Sequence, residues 1–319
     1  MILLEHLART LTTLLREDER RIVLGEDVAD GGLLGLTREA AADPKLATRL
    51  VGAPLSPVTA LAQAAGAALG GSRPIVVLPS ATSLVEGLAG LREAALLGWR
   101  LGTPVPLLVL TPCGPGFGLG GDAADAIETL LTTVPGLRTV ILGRRHDAPA
   151  LLRAAASFTA GEGPTVVLLP RTLLLAELAP EDVAGELGLP FGAAVPLRHG
   201  TRATVFTWGE CVEACERAIE ESGHDVTLVQ LQTLAPLPRD AVIELARATG
   251  RIVIVHRGPR AHGVGAELAA TFADEAILTL DAPVVRVTGE DGPFHPPQES
   301  AAIPDLASIR AAIEHVVTY

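Results

Sequence analysis

The feature that most constrains this 319-residue chain is a repeated alternation of short apolar runs, rich in Val, Ile and Leu, with helix-patterned segments. Helical patterning is read at 5–18, 60–71, 83–102, 122–133 and 147–157, and apolar strands at 21–28, 74–80, 105–112, 138–143 and 164–170. Strands that are apolar throughout, separated by helices, suit a parallel sheet covered on both faces. Residues 171–200 carry several prolines and acids and read as a linker. A second alternation follows, with strands at 203–209, 226–231, 251–256 and 284–289 and helices at 210–222, 238–249 and 263–277. The expected fold class is α/β, two domains, each a mainly parallel sheet flanked by helices. The first spans 1–190, with 171–190 opening the linker, and the second spans 191–319.

Composition excludes several function classes. The formal net charge of -12 argues against nucleic acid, whose phosphate backbone selects a basic surface. No apolar run reaches the roughly 18 residues of a membrane span without Gly, Pro or charge. The N-terminal segment lacks the positive-then-apolar order of a signal peptide, so a cytoplasmic location is expected. Three cysteines, Cys113, Cys211 and Cys215, make no disulfide framework. Cys211 and Cys215 lie one helical turn apart, but no histidine is placed to complete a metal site, and small buried residues are the expectation.

Two clusters invite chemical readings. Gly116-Phe117-Gly118-Leu119-Gly120-Gly121 fits G-x-G-x-x-G after a strand and before a helix. The acidic residue that would bind a ribose is absent from the end of the next strand, so a dinucleotide reading is set aside and Asp122 is taken as a helix N-cap. His256, Arg257, Arg260 and His262 form a basic cluster at the end of a strand. It is read either as a surface for an acidic partner or as solvated charge. His6, His146, His199 and His224 are expected in solvent.

Ordered motifs run through both halves. They are Gly25-Glu26-Asp27-Val28, Pro54-Leu55, Val134-Pro135-Gly136-Leu137 and Asp147-Ala148 in the first. The second carries Leu231-Gln232-Thr233-Leu234-Ala235-Pro236-Leu237, Val255-His256 with Gly263-Val264-Gly265-Ala266-Glu267, Leu280-Asp281-Ala282-Pro283-Val284 and Arg286-Val287-Thr288-Gly289. In order and spacing they resemble the beta subunit of the decarboxylating component of 2-oxo acid dehydrogenase complexes, within the transketolase-like superfamily. The resemblance implies a pyrimidine-binding domain and a C-terminal assembly domain. It also implies an alpha-like partner holding thiamine diphosphate and magnesium, a heterotetramer of two alpha-like and two beta-like chains, and an acyltransferase core as a further partner. This chain lacks the Gly-Asp-Gly and downstream Asn of a diphosphate site, as a beta subunit would.

At three positions the chain departs from what the resemblance implies. The family's glutamate, which hydrogen-bonds the cofactor's aminopyrimidine, falls on Pro57, a residue with neither a carboxylate nor an N–H. The aromatic that packs on the pyrimidine falls on Ser80, and the family's histidine falls on Ala123. Glu128 matches the acid after that histidine run, and Arg257 stands where an acid is common. The candidate lining of the pyrimidine pocket is therefore Glu26, Leu55, Ser56, Pro57 and Ser80, with no catalytic group assigned. A non-catalytic scaffold or regulatory subunit is the alternative.

Overall fold

A computed structural model describes residues 1–121, 125–178 and 191–319, with 158–162 as backbone alone. Among the described residues twelve strands form two sheets. The strands are β1 (Arg21–Gly25), β2 (Leu50–Gly52), β3 (Arg73–Val77), β4 (Leu108–Cys113), β5 (Arg138–Ile141) and β6 (Thr165–Pro170). They continue with β7 (Ala194–Arg198), β8 (Ala203–Thr207), β9 (Val226–Leu231), β10 (Thr233–Ala235), β11 (Ile252–His256) and β12 (Val285–Thr288).

The first sheet has the order β10-β5-β6-β4-β3-β1-β2 and is parallel except for β10. The second has the order β12-β11-β8-β9-β7 and is parallel except for β7. Every residue of β4, β6, β9 and β11 is buried, which explains their predominantly apolar sequences. Helix Leu3–Glu17 covers one face of the first sheet with helix Ala148–Glu162, and helices Pro57–Leu69 and Ser83–Leu101 cover the other.

The two sheets share a core. Leu24, Val76, Val109 and Val166 of the first belong to one buried cluster with Phe206, Trp208, Val229 and Ile254 of the second. Residues 233–235, sequence neighbours of the second sheet, pair antiparallel with β5 of the first and stitch the units together.

Several elements differ from the sequence expectation. The strand expected over 21–28 ends at Gly25, because Asp27 takes a left-handed φ of 53° and starts a turn. The helix expected over 122–133 is described as Glu128–Thr132, and residues 122–124 lie outside the described residues. The 171–200 stretch is not all linker: it contains the helix Arg171–Leu174 and the edge strand β7. β7 carries Pro196 beside a register shift, as an edge strand tolerates. Helix Leu306–Thr318, unread in the sequence, is capped by Asp305, whose side chain accepts from the Ser308 N–H at 2.7 Å. It buries Ile309, Ile313, Val316 and Val317 against helix Cys211–Ser222.

Candidate functional site

In an open parallel sheet the carboxyl ends of the strands form the edge where sites assemble. Glu26 follows β1, Ser80 lies shortly after β3, Gly114 follows β4 and Arg171 follows β6. Gly25 is required where β1 ends, because a Cβ there would lie 2.4 Å from the Val77 carbonyl oxygen. Glu26 is half-buried and has no hydrogen-bond or ion-pair partner among the described residues. Burial, then the neighbouring Asp27, pushes its carboxyl above the usual carboxylate range.

Pro57 is the first residue of helix Pro57–Leu69, where its missing N–H costs nothing and its fixed φ suits the turn. Ser56 is the N-cap, its hydroxyl accepting from the Thr59 N–H at 3.4 Å and lying 3.0 Å from the Thr59 hydroxyl. The Pro57 ring is buried, whereas Leu55 is 83% exposed. Gly87 lets helix Ser83–Leu101 approach closely: a Cβ there would stand 2.6 Å from Leu61 Cδ1 and 3.4 Å from Pro57 Cβ. The Ser80 hydroxyl is already engaged, 2.8 Å from the Thr82 hydroxyl and accepting from Arg171 Nη2 at 2.9 Å. Ala123 lies outside the described residues.

Arg171 escaped the sequence reading. It is buried, donates through Nη1 to the Gly114 carbonyl at 2.6 Å, and so ties together the loops after β3 and β4. The signal was a lone arginine directly after the fully buried strand β6.

The seam between the sheets holds a second constellation. Arg257, at the end of β11, is 2% exposed and donates through Nη2 to Glu128 at 2.8 Å. Its Nε lies 3.2 Å from Glu210, and its Nη1 donates to the Asp125 carbonyl at 3.2 Å. Burial pushes the Glu128 carboxyl up against the opposing pull of Arg257. Burial alone would lower the arginine, but the two carboxylates override it and hold the guanidinium charged. His256 stacks on Trp208 with ring centroids 4.7 Å apart, and its Nδ1 lies 2.7 Å from the Arg257 carbonyl. Burial pulls its imidazole down to about 4.

The basic cluster read at 256–262 therefore divides. His256 and Arg257 are internal, and only Arg260 and His262 are exposed. Neither alternative weighed for the cluster fits Arg257, because its charge is answered inside the chain. His224 is not simply solvated either, since its Nε2 lies 2.5 Å from Glu314.

The glycine loop follows β4, beside Arg171. The N–H groups of Gly116, Gly118 and Gly120 donate to the Glu299 carboxylate at 2.8, 2.7 and 3.1 Å. Its donors thus converge on a group of the chain itself. Among the described residues no cluster of three or more His, Cys, Asp or Glu is placed to hold a metal. Among them, too, no helix is long and apolar enough to cross a membrane.

The two mainly parallel sheets that share a core match known domains. Residues 3–176 match the transketolase pyrimidine-binding domain, and residues 192–309 match the transketolase C-terminal domain. The chain is 30% identical to the 2-oxoisovalerate dehydrogenase subunit beta of Pseudomonas aeruginosa, over 99% of its own length and 95% of that protein's. It is 31% identical to the 3-methyl-2-oxobutanoate dehydrogenase subunit beta of Mycobacterium tuberculosis, over 99% and 92%. It is 29% identical to the pyruvate dehydrogenase E1 component subunit beta of Acholeplasma laidlawii, over 91% and 89%. The chain belongs to this family of beta subunits of the first component of 2-oxo acid dehydrogenase complexes. A solved split-gene transketolase, described as an inactive beta4 tetramer, shares the fold with a TM-score of 0.78 at 20% identity, covering 98% of this chain and 97% of that one.

Proposed function

We propose that this chain is a beta-like subunit of a thiamine-diphosphate-dependent 2-oxo acid dehydrogenase-type heteromer whose own catalytic positions are degenerate. Residues 1–190 serve as the pyrimidine-binding-like unit and 191–319 as the assembly unit. Thiamine diphosphate and magnesium are held mainly by an alpha-like partner, with Glu26, Leu55, Ser56, Pro57 and Ser80 as this chain's wall of the pocket. The observation that carries the reading is Pro57, seated as the first residue of a helix and buried, where the resemblance implies a glutamate. A proline ring offers the pyrimidine no proton acceptor or donor. Ser80 adds no stacking surface, and its hydroxyl is committed to Thr82 and Arg171. The residues at these positions do not fit the role that the cofactor asks of a beta subunit, so no catalytic step is assigned to them.

The match of both domains to those of the family supports retention of its architecture. A purely structural subunit is the second reading, favoured by the loss of both the acid and the aromatic. Co-expression with the co-encoded alpha-like chain, followed by calorimetric titration with thiamine diphosphate and magnesium, separates the two. Co-purification with saturable binding is expected for the heteromer. Co-purification without binding favours the scaffold, and failure of the two chains to associate contradicts both.

A further inference from the structure

The G-x-G-x-x-G loop is the one sequence motif that the proposed function leaves unused. Its geometry is that of an anion cradle: backbone N–H groups from alternate residues converge on one point, as in the nests that bind phosphates and carboxylates. Gly114, Gly116, Gly118, Gly120 and Gly121 all have positive φ, which turns successive N–H groups inward. Three of these donors reach the two oxygens of Glu299, which is 9% exposed. Burial would raise this carboxyl, but the N–H groups of Gly118, Gly120 and Gly116 outweigh it and hold the group below its ordinary range.

The rest of the segment is tied down beside it. The Gly121 N–H donates to the Phe294 carbonyl at 2.6 Å. A Cβ on Gly120 would lie 2.5 Å from the Pro296 nitrogen, so backbone packs directly on backbone. On the opposite side the Gly114 carbonyl is held by Arg171, whose other nitrogen reaches Ser80. The loop is therefore gripped from the site by Arg171 and from the second unit by Glu299, residues that lie far from it in sequence.

We infer that loop 116–121 is a carboxylate cradle occupied in cis by Glu299, with segment 294–299 acting as a strap over a latent carboxylate-binding site. Two donors on one oxygen and one on the other match a planar carboxylate. The strap gives the loop's glycines a role that needs no dinucleotide. It orders the loop whether or not a cofactor is bound, so it stands apart from the thiamine reading.

The test is hydrogen exchange of the peptide spanning 114–121 in the full chain and in Glu299→Ala, with acetate as the probe. The parent is expected to protect this peptide and to show no response to acetate. Glu299→Ala is expected to exchange about tenfold faster or more, the loss implied by removing charge-assisted hydrogen bonds, and to regain protection saturably with acetate. Chloride at equal ionic strength is expected to do nothing. Unchanged protection in Glu299→Ala, or equal recovery with chloride, overturns the inference. Should the alanine variant not fold, Glu299→Gln decides, because it keeps the shape and removes the charge. Faster exchange in it supports an ionic strap, and exchange at the parental rate refutes it.

Discussion

The carboxyl edge of the first sheet and the seam between the two sheets lie side by side but are built differently. At the seam Arg257 is paired with Glu128 and Glu210, and in the glycine loop beside it Glu299 is held by three glycine N–H groups. At the edge Glu26 has no side-chain partner among the described residues, Leu55 stands in solvent, and the position implied to hold an acid is a proline. Residues that hold the fold together and residues that would meet a cofactor are thus separable. A chain can keep the first set while losing the second, because packing and charge pairing at the seam do not depend on what lines the pocket.

The largest expected effect is at the seam. Arg257→Met strands two buried carboxylates and is expected to cost about 3–5 kcal/mol in urea denaturation. A loss below about 1 kcal/mol would mean that the seam is not the anchor.

The next effect is a pH dependence from His256. Its folded-state value lies near 4, below the ordinary 6.5, so the unfolded chain takes up the proton first. Stability is therefore full above pH 6.5 and falls as the pH drops toward 4, by about 3 kcal/mol for a shift of this size. The Glu299 carboxyl, also held low, adds a loss of the same sign at more acid pH. Melting curves across this range should show the slope, and His256→Asn should flatten its upper part. A slope unchanged in that variant would remove His256 from the account.

Effects at the edge should be smaller. Ser56→Ala removes the N-cap of helix Pro57–Leu69 and should cost about 1 kcal/mol by the same denaturation assay. Leu55→Ser should lie within about 0.5 kcal/mol of the parent, because the side chain is 83% exposed. A cost at Leu55 near that of Arg257→Met would erase the contrast between the two regions.

Most strands and helices of both units were legible because buried parallel strands are predominantly apolar and their helices repeat every three to four residues. β7 and β10 were hidden by their prolines and brevity, and helix Leu306–Thr318 lay beyond the last strand read, although Asp305 marked its start. At the site, the departures at Pro57 and Ser80 were visible as residue types. What those residues touch was not. Arg257 looked like surface charge because it sits in the polar, glycine-containing run 257–263, and its partner Glu128 is 129 residues away. Glu299 had no local signature either, since the glycines it holds are 179 to 183 residues earlier. Pairings of that range follow from topology, which brings the end of β11 and the 294–299 segment against the loop after β4.

The family's two-domain architecture is present, and position 57, where the resemblance implies an acid, holds a proline. The consequence of that proline is tested most directly by 2-oxo acid-dependent reduction of an artificial electron acceptor by the chain reconstituted with the proposed alpha-like partner, thiamine diphosphate and magnesium. The Pro57→Glu variant is assayed beside it. No turnover of pyruvate or a branched-chain 2-oxo acid above background is expected from the parent pair, and activity in the variant would trace the defect to the acid alone. Sustained turnover by the parent pair would contradict that expectation.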